Sequence, residues 1–259
     1  MKKNRSLKKL AFVIGGNGTI GSSIVKKFIE KKIKVVVLDI KLNSNPKKNF
    51  FQEKFNLANL SKIKSNLNRL VIKYGCPDIL INSAYPMTKR WSKINFENLR
   101  MNDLKDNVNI HLNSSAWATW VIADFMKKSS VKGSIIFINS IYGILGQDNN
   151  IYSNTNIKSN PVYSIIKGGL ISFSKNLASF YGKHNIRSNS IICGGIEGKI
   201  AGQKKKQNKV FINKYKKKTL LKKMATADEI SSTVFFLSSD EASYITGSEV
   251  FVDGGFSAI

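Results

Sequence analysis

The feature that most constrains the fold is a glycine-rich segment between an apolar run and an amphipathic stretch. The apolar run Leu10 to Ile14 leads directly into Gly15-Gly-Asn-Gly-Thr-Ile-Gly21. Apolar residues then recur with helical spacing from Ile20 to Ile29, and Ile33 to Leu38 is a second apolar run. This order predicts a βαβ unit. Because glycines let backbone N–H groups approach a pyrophosphate, whose charge a helix N-terminus favours, we predict a nucleotide-binding loop here.

The alternation of strand-like and helical patterns continues to the end of the chain. It predicts helices at 60–72, 104–126, 162–180 and 227–237, and strands at 78–81, 134–138, 187–192 and 249–252. Such alternation indicates an α/β fold with one doubly wound, Rossmann-type parallel sheet and helices on both faces. We find no repeat or linker, so residues 1–259 are predicted to form a single dinucleotide-binding domain. Irregular regions are predicted at 43–49, 85–95, 147–160 and 194–208, and all but the first fall at the expected carboxyl-edge crevice.

Asp39 ends the second predicted strand, eighteen residues beyond Gly21. A carboxylate at this place can accept hydrogen bonds from both ribose hydroxyls of adenosine and would repel a 2′-phosphate. We therefore expect NAD(H) to be favoured over NADP(H), although Lys41 is close enough in sequence to weaken that rule. The alternative for Asp39 is a turn or capping residue.

Tyr163 and Lys167 lie four residues apart at the start of a predicted helix, and Ser140 follows a predicted strand. Residues at i and i+4 share one helix face, so an ammonium group would stand beside a phenol. A free phenol has a pKa of about 10, and a nearby positive charge lowers it toward neutrality. The pair therefore predicts proton transfer to and from a carbonyl or alcohol oxygen. Because the chain contains 42 Lys+Arg, this spacing can also arise by chance. The alternative interpretation is that Tyr163 and Lys167 are exposed helix residues without a catalytic role.

With the glycine loop, Asp39, Ser140, Tyr163 and Lys167 in this order, the chain resembles the short-chain dehydrogenase/reductase family from Ala11 to Ser257. Further matching segments are Asp78-Ile-Leu-Ile-Asn82-Ser-Ala84, Asn185-Ile-Arg187-Ser-Asn189, Tyr244-Ile-Thr-Gly247 and Val252-Asp253-Gly-Gly255. The resemblance implies an NAD(P)-dependent oxidoreductase that acts on CH–OH groups.

The resemblance also implies a role for each matching residue. Tyr163 would be the general acid/base that protonates a carbonyl oxygen as hydride arrives from nicotinamide. Lys167 would lower the pKa of Tyr163 and bind the nicotinamide ribose, and Ser140 would orient the substrate oxygen. The residues implied to bind the cofactor are Gly15, Asn17, Gly18, Thr19, Ile20, Gly21, Asp39, Asn56, Leu57, Asn82, Ala84, Tyr163, Lys167, Gly194 and Ile196.

The chain departs from the family pattern at several positions. Thr19 replaces the usual second loop glycine, Asn56 replaces an aspartate that commonly faces adenine, and Cys193 replaces a proline. His111 aligns with the helix asparagine that holds a water in the family's proton relay. As a fourth candidate catalytic residue, His111 could relay protons itself, or it could cap a distorted helix. Asn113 is a weaker substitute.

Ser140 and Tyr163 stand 23 residues apart, which is more than the family's usual spacing. The extra residues, 147–160, are polar and Asn-rich, and we expect them to fold over the substrate side. Together with Asn82-Ser-Ala-Tyr-Pro86, they resemble a subgroup associated with bacterial flagellin modification and sialic-acid-like sugar biosynthesis. That likeness implies a polar, phosphorylated or nucleotide-linked sugar substrate in surface-glycan biosynthesis. A 3-oxoacyl-type or other small-carbonyl reductase is the alternative.

The formal net charge of +26 raises an alternative of another class, a catalytically silent dinucleotide- or RNA-binding regulatory protein. Only five basic residues are arginines, however, and arginine is the side chain that reads phosphates and bases in a bidentate way. The dense lysine runs 204–206 and 216–218 are expected on a solvated helix face. We therefore expect no specific nucleic-acid partner, and a positive field that attracts an anionic substrate.

Apolar runs and cysteines indicate where the protein is located and whether it forms oligomers. No run of 18 apolar residues is present, and Cys76 and Cys193 offer neither a disulfide framework nor a metal spacing. These features predict a cytoplasmic protein without a membrane span or metal. Members of the family commonly form tetramers through the long helix and the catalytic helix, and the segment 116–122 is apolar. We expect a homo-oligomer, either tetramer or dimer; alternatively, Trp117 and Trp120 serve the core of one chain.

Overall fold

The structure is a computed structural model that describes residues 9–43, 50–155, 157–198 and 206–259. The described residues form seven β-strands and seven α-helices. In chain order they are β1 (Leu10–Ile14), α1 (Thr19–Glu30), β2 (Lys34–Asp39), β3 (Phe50–Lys54), α2 (Leu60–Tyr74), β4 (Ile79–Asn82), α3 (Met101–Asn107), α4 (Ser114–Lys128), β5 (Gly133–Ser140), α5 (Pro161–Tyr181), β6 (Ile186–Cys193), α6 (Lys209–Lys218), α7 (Ala227–Ser238) and β7 (Glu249–Val252).

All these strands join one parallel sheet in the order β3-β2-β1-β4-β5-β6-β7. The order reverses at β1, whose neighbours are β2 and β4, so the connections on either side diverge there. In open α/β sheets such a switch point opens a crevice at the carboxyl ends of the strands. The predicted fold class is confirmed.

Helices cover both faces of the sheet because successive strand residues point to opposite sides. Phe12 and Ile14 of β1 face a core that includes side chains of α2, α4 and α5. Ala11 and Val13 face a second core built with α1 and α7. A third, smaller cluster joins the ends of β5 and β6 to α6, through residues such as Ile141, Ile192 and Tyr215. This third cluster lies beside the predicted crevice.

Three features differ from the predicted elements. The edge strand β3 was not predicted, because Gln52, Glu53 and Lys54 interrupt its apolar pattern and none of its residues is fully buried. The helix predicted over 104–126 is α3, a π-helical segment Val108–Asn113 and α4. Helix α6 was not predicted as an element; we predicted only that the lysine run 216–218 lies on a helix, and this run does lie on α6.

Several predicted features fall outside the described residues. Residues 44–49 of the first irregular region, residue 156 of the insertion, and residues 199–205, which include two lysines of the run 204–206, belong to this group. Among the helices that the structure describes, none is long and apolar enough to cross a lipid bilayer.

Candidate active site

The glycine loop joins β1 to α1 at the switch point. Gly15 has a φ of +77°, and a Cβ atom there would lie 2.6 Å from the Cα of Ala84. A Cβ on Gly21 would collide with the carbonyl oxygen of Gly15. Gly18 begins α1 without a side-chain cap, and the first turn holds no acidic residue. The first N–H groups of α1 have no intrahelical acceptor, so this loop suits an anionic diphosphate.

Asp39 lies at the carboxyl end of β2, beside the glycine loop. Its carboxylate accepts hydrogen bonds from the backbone N–H of Asn17 at 3.0 Å and of Lys41 at 3.1 Å. The Asn17 side chain donates to the Oε1 of Gln52 at 3.2 Å, which ties the loop to β3. A carboxylate has about four acceptor positions, so two remain for further donors.

The other predicted cofactor-binding residues lie at the ends of neighbouring strands. Asn56 and Leu57 follow β3, and the Asn56 side chain accepts the N–H of Ala58 at 3.0 Å. Asn82 ends β4, and its side-chain amide donates toward the Oγ1 of Thr119 in α4 at 3.4 Å. The backbone N–H of Gly194, after β6, donates to the carbonyl of Val252 at 3.0 Å. Thr19 and Ile20 open α1, and Ile196 pairs with Ala225 in an isolated bridge.

Ser140, Tyr163 and Lys167 come together in the structure. Asn160 caps α5 by accepting the N–H of Val162 at 3.0 Å, which fixes the start of the helix two residues before Tyr163. Ser140 ends β5, and its hydroxyl lies close enough to the Tyr163 phenol to oppose the rise in the pKa of that phenol. The Nζ of Lys167 lies 5.9 Å from the centre of the Tyr163 ring. The two residues share one helix face, as their spacing predicts.

The pKa values of this group differ from the predicted pattern. Burial raises the pKa of Tyr163 to about 12, and the hydrogen bond with Ser140 only partly opposes this effect. Burial also lowers the pKa of Lys167 to about 8. We predicted that Lys167 lowers the pKa of Tyr163. In the structure the Lys167 ammonium instead donates to the backbone carbonyl of Ile138 at 2.9 Å, and desolvation dominates both groups.

His111 lies in the π-helical segment and is 1% exposed. Within the described chain, neither of its ring nitrogens has a hydrogen-bond partner, so His111 does not cap the distorted helix. Burial, followed by the charge of Lys167, holds the pKa of His111 well below its usual value. The imidazole is therefore neutral at physiological pH. Asn113 is exposed and its amide donates to Asn109 at 3.3 Å, so it does not face this group.

Gln147, at the start of the insertion, contacts the first turn of α5. The Gln147 amide donates to the carbonyl of Asn160 at 3.0 Å and to the hydroxyl of Ser164 at 3.3 Å. Lys218 of α6 forms an ion pair with Asp148 at 2.8 Å. The insertion therefore connects the start of the catalytic helix to α6.

Comparison with known proteins agrees with this geometry. A family model described as enoyl-(acyl carrier protein) reductase matches residues 15–257. A short chain dehydrogenase from Leptospira borgpetersenii, solved with bound NAD+, superposes with a TM-score of 0.85 at 31% identity, over 99% of this chain and 96% of that one. This chain is a short-chain dehydrogenase/reductase. As a member of that family it is an oxidoreductase.

Two curated relatives of this short-chain dehydrogenase/reductase differ in function. Post-translational flagellin modification protein A of Campylobacter coli is 30% identical over 96% of this chain and 98% of its own length. A 3-oxoacyl-[acyl-carrier-protein] reductase of Buchnera aphidicola (Schizaphis graminum) is 31% identical over 96% of this chain and 97% of its own length. Family membership is therefore clear, whereas the names of the two relatives describe different roles.

Two aromatic residues of this short-chain dehydrogenase/reductase were not predicted as site residues. The Tyr85 ring lies 5.9 Å from the Tyr163 ring, 5.2 Å from the His111 ring and 5.7 Å from the Nζ of Lys167. Trp91 lies 5.7 Å from Tyr85 and 6.4 Å from Tyr163. We call Tyr85 and Trp91 the aromatic wall. Their region is predicted to be irregular, and only the position of Tyr85 just after β4 signalled that it borders the crevice.

Proposed function

We propose that this protein is an NAD(H)-dependent oxidoreductase that interconverts a hydroxyl and a ketone on a polar, anionic sugar. The substrate is phosphorylated or nucleotide-linked, and the reaction serves surface-glycan biosynthesis. The observation that carries the proposal is the contact of Ser140, Tyr163 and Lys167 at the carboxyl edge of the sheet. The likeness to flagellin modification protein A over nearly the whole chain supports the sugar.

The residues around the glycine loop fit a nicotinamide dinucleotide. Gly15 and Gly21 leave no room for a side chain, and the uncapped N-terminus of α1 suits the diphosphate. The unused acceptor positions of Asp39 suit ribose hydroxyls, which favours NAD(H) over NADP(H). Asn56, Leu57, Asn82, Ala84, Gly194 and Ile196 complete the proposed binding surface. When bound, the dinucleotide supplies or accepts the hydride.

Tyr163 moves the proton at the substrate oxygen. With a pKa of about 12 its phenol is protonated at neutral pH, so it is ready to act as an acid in ketone reduction. Ser140 orients the same oxygen through its hydroxyl, which already contacts Tyr163. The ammonium of Lys167 stands on the same helix face, so its charge is available to the phenolate that remains after proton transfer, although burial and not this charge sets the pKa of the resting phenol. In alcohol oxidation the proton travels in the opposite direction.

His111 is the proposed route by which this proton exchanges with water. It lies close enough to Lys167 for that charge to lower its pKa, and its two ring nitrogens lack partners within the described chain. A neutral imidazole can accept a proton at one nitrogen and donate at the other. His111 would therefore connect Lys167 to a water molecule.

The experiment that tests the proposal follows NADH absorbance with a panel of nucleotide sugars, hexosamine phosphates and acetoacetyl thioesters. Tyr163→Phe should lower kcat by at least about 10³-fold for the substrate that the wild type uses. NADH affinity, measured by fluorescence titration, should stay within about twofold, since the ring remains. Tyr244→Phe is the matched control, because Tyr244 is fully exposed. Retained turnover in Tyr163→Phe would refute the assignment of the general acid/base.

A second candidate is a 3-oxoacyl-type reductase. The Buchnera relative and the description of the matching family model both favour it. The same panel separates the two candidates, because an acyl reductase would use acetoacetyl thioesters and leave the sugars unchanged. A third candidate, a silent RNA-binding regulator, would show salt-dependent retention on RNA without turnover. Family membership and the close contact of Ser140 with Tyr163 favour an enzyme.

We also propose that the protein is a homo-oligomer, either tetramer or dimer. Trp117 and Trp120 do not enter the core; their rings stack 5.0 Å apart and each residue is 38% exposed. Ile165 and Phe180 of α5 are also exposed. A second copy that covers these side chains would remove apolar surface from water. Light scattering should give a mass above one chain, and Trp120→Lys should shift it toward the monomer.

A further inference from the structure

We infer that Trp91, supported by Tyr85, selects the shape of the substrate: a saturated six-membered ring presented by its apolar face, as in a pyranose. This inference rests on the proposed function and specifies how the sugar is recognised. An extended acyl chain would gain less from the same surface, because it cannot lay a rigid flat face against an indole. The argument depends on the geometry, anchoring and charge of the aromatic wall.

The rings of the aromatic wall pack edge to face against each other and against Tyr163. The Tyr85 and Trp91 rings meet at 89°, with their centres 5.7 Å apart. Each ring also meets the Tyr163 ring at a steep angle, 64° for Tyr85 and 71° for Trp91. Trp91 remains partly exposed, as does Tyr163. Trp91 and Tyr85 are therefore partly accessible aromatic side chains beside the proposed general acid/base.

The backbone that carries the wall is anchored from two sides. Arg90, which precedes Trp91, donates two hydrogen bonds to Asp103 of α3 at 2.9 and 3.2 Å. The backbone N–H of Thr88 donates to Asn107 of α3 at 3.1 Å. On the other side, the Asn160 amide donates to the carbonyl of Trp91 at 3.2 Å. A surface fixed in this way loses little entropy when it binds a rigid ligand.

Three lysines of the insertion and of α6 are engaged in ion pairs or hydrogen bonds. Lys158 pairs with Glu97 at 2.6 Å, and Lys218 pairs with Asp148 at 2.8 Å. Lys214 donates to the carbonyl of Ser153 at 2.7 Å. The wall itself offers aromatic surface, and Ser140 and Tyr163 beside it offer polar atoms, while the exposed Lys89 and Lys93 flank Trp91 in the chain. Pockets of this composition orient a ligand by a few polar groups and bind it by apolar contact.

The test uses Trp91→Leu, which keeps an apolar side chain but removes the flat ring. Phe96→Leu is the matched control, because Phe96 lies in the same segment and is 74% exposed. Trp91→Phe is the conservative rescue. The probes are UDP-N-acetylglucosamine, as the alcohol or its ketone, and acetoacetyl-CoA. Both kcat/KM with each probe and equilibrium binding of the sugar to the NADH-loaded Tyr163→Phe variant are measured.

Trp91→Leu should lower kcat/KM for the sugar by at least about tenfold through KM, weaken its binding equally, and leave acetoacetyl-CoA unchanged within about twofold. Trp91→Phe should recover most of the loss, and Phe96→Leu should match the wild type. Equal losses for both probes, or none for the sugar, would overturn the inference while the proposed function stands. A wild type that neither binds nor converts the sugar but reduces acetoacetyl-CoA would overturn both.

Discussion

The Nζ of Lys167 donates to the backbone carbonyl of Ile138 at 2.9 Å, in surroundings where burial lowers its pKa to about 8. Among the residues that the structure describes, no carboxylate pairs with this ammonium, and Lys167 is 5% exposed. A buried cation held by one neutral acceptor is costly for the folded state. Lys167, which the proposed mechanism requires, therefore lowers the stability of the folded state.

Lys167→Met should raise the free energy of unfolding at pH 7 by about 1–3 kcal/mol while it abolishes turnover. The folded pKa lies below the usual 10.5, so below pH 8 both states are protonated and the full penalty applies. Between pH 8 and 10.5 only the unfolded state holds the proton, and the penalty declines. Urea unfolding of both proteins from pH 7 to 10 should show the gain from the substitution shrinking. A constant gain would contradict the lowered pKa.

The neutral imidazole of His111 gives a prediction of the same sign in a lower pH range, because its pKa is also lowered by burial. Because burial lowers its pKa below the usual 6.5, the unfolded state binds the proton first as pH falls, and the folded state loses stability below pH 6.5. His111→Leu should lose less stability between pH 7 and 5 than the wild type and should lower kcat by about 10²-fold or more. The matched control is His184→Leu, in the 3₁₀ turn that follows α5. Unchanged turnover in His111→Leu would exclude the proposed relay.

The close approach of Gly21 to Gly15 predicts a selective loss of dinucleotide binding. Gly21→Ala places a methyl group against the Gly15 carbonyl, so the loop has to move. We expect NADH affinity to fall by at least about 10²-fold, or about 2.7 kcal/mol. Gly182→Ala is the matched control, since nothing lies within 4 Å of a Cβ there. Fluorescence titration measures both, and equal affinities would disprove the diphosphate assignment.

The carboxylate of Asp39 predicts the choice between the two dinucleotides. Asp39→Ser removes the negative charge and the acceptors that the ribose hydroxyls would use. We expect the Kd for NADH to rise about tenfold and the Kd for NADPH to fall, because the repulsion of a 2′-phosphate disappears. Binding of both dinucleotides by the two proteins is the measurement. If the wild type prefers NADPH, the proposed preference is wrong.

The hydroxyl of Tyr215 accepts the N–H of Gly195 at 2.5 Å, next to the proposed cofactor-binding residue Gly194. The ring also fills the place that a side chain on Gly195 would need. Tyr215→Phe leaves this N–H without its acceptor, which should cost about 1–3 kcal/mol of unfolding free energy. It should also raise the KM for NADH more than it lowers kcat. A stability loss with an unchanged KM would limit Tyr215 to a purely structural role.

The sequence predicted most of the strands and helices, but few of the contacts between side chains and none of their pKa shifts. The strands β1, β2, β4 and β5 and the end of β6 were predictable because they are buried apolar runs. The edge strand β7 was predictable because three of its four residues are apolar. The other edge strand, β3, was not, because Gln52, Glu53 and Lys54 interrupt its apolar pattern. The placement of Ser140, Tyr163 and Lys167 followed from strand order and helical spacing. The reversed pKa shifts and the packing of Tyr85 and Trp91 depend on desolvation and on contacts between distant segments, which spacing does not encode.

The π-helical segment Val108–Asn113 takes up an additional residue in one widened turn between α3 and α4. Asp103 and Asn107, before it, hold the segment of Trp91, while Ala118 and Ile122, after it, pack on the sheet. Because the widened turn absorbs the additional residue, deleting one residue within 108–113 would restore ordinary winding and leave α3 and α4 close to their present angular phase. The support of the indole is therefore expected to survive a one-codon deletion in this turn, whereas the position of His111 is expected to shift.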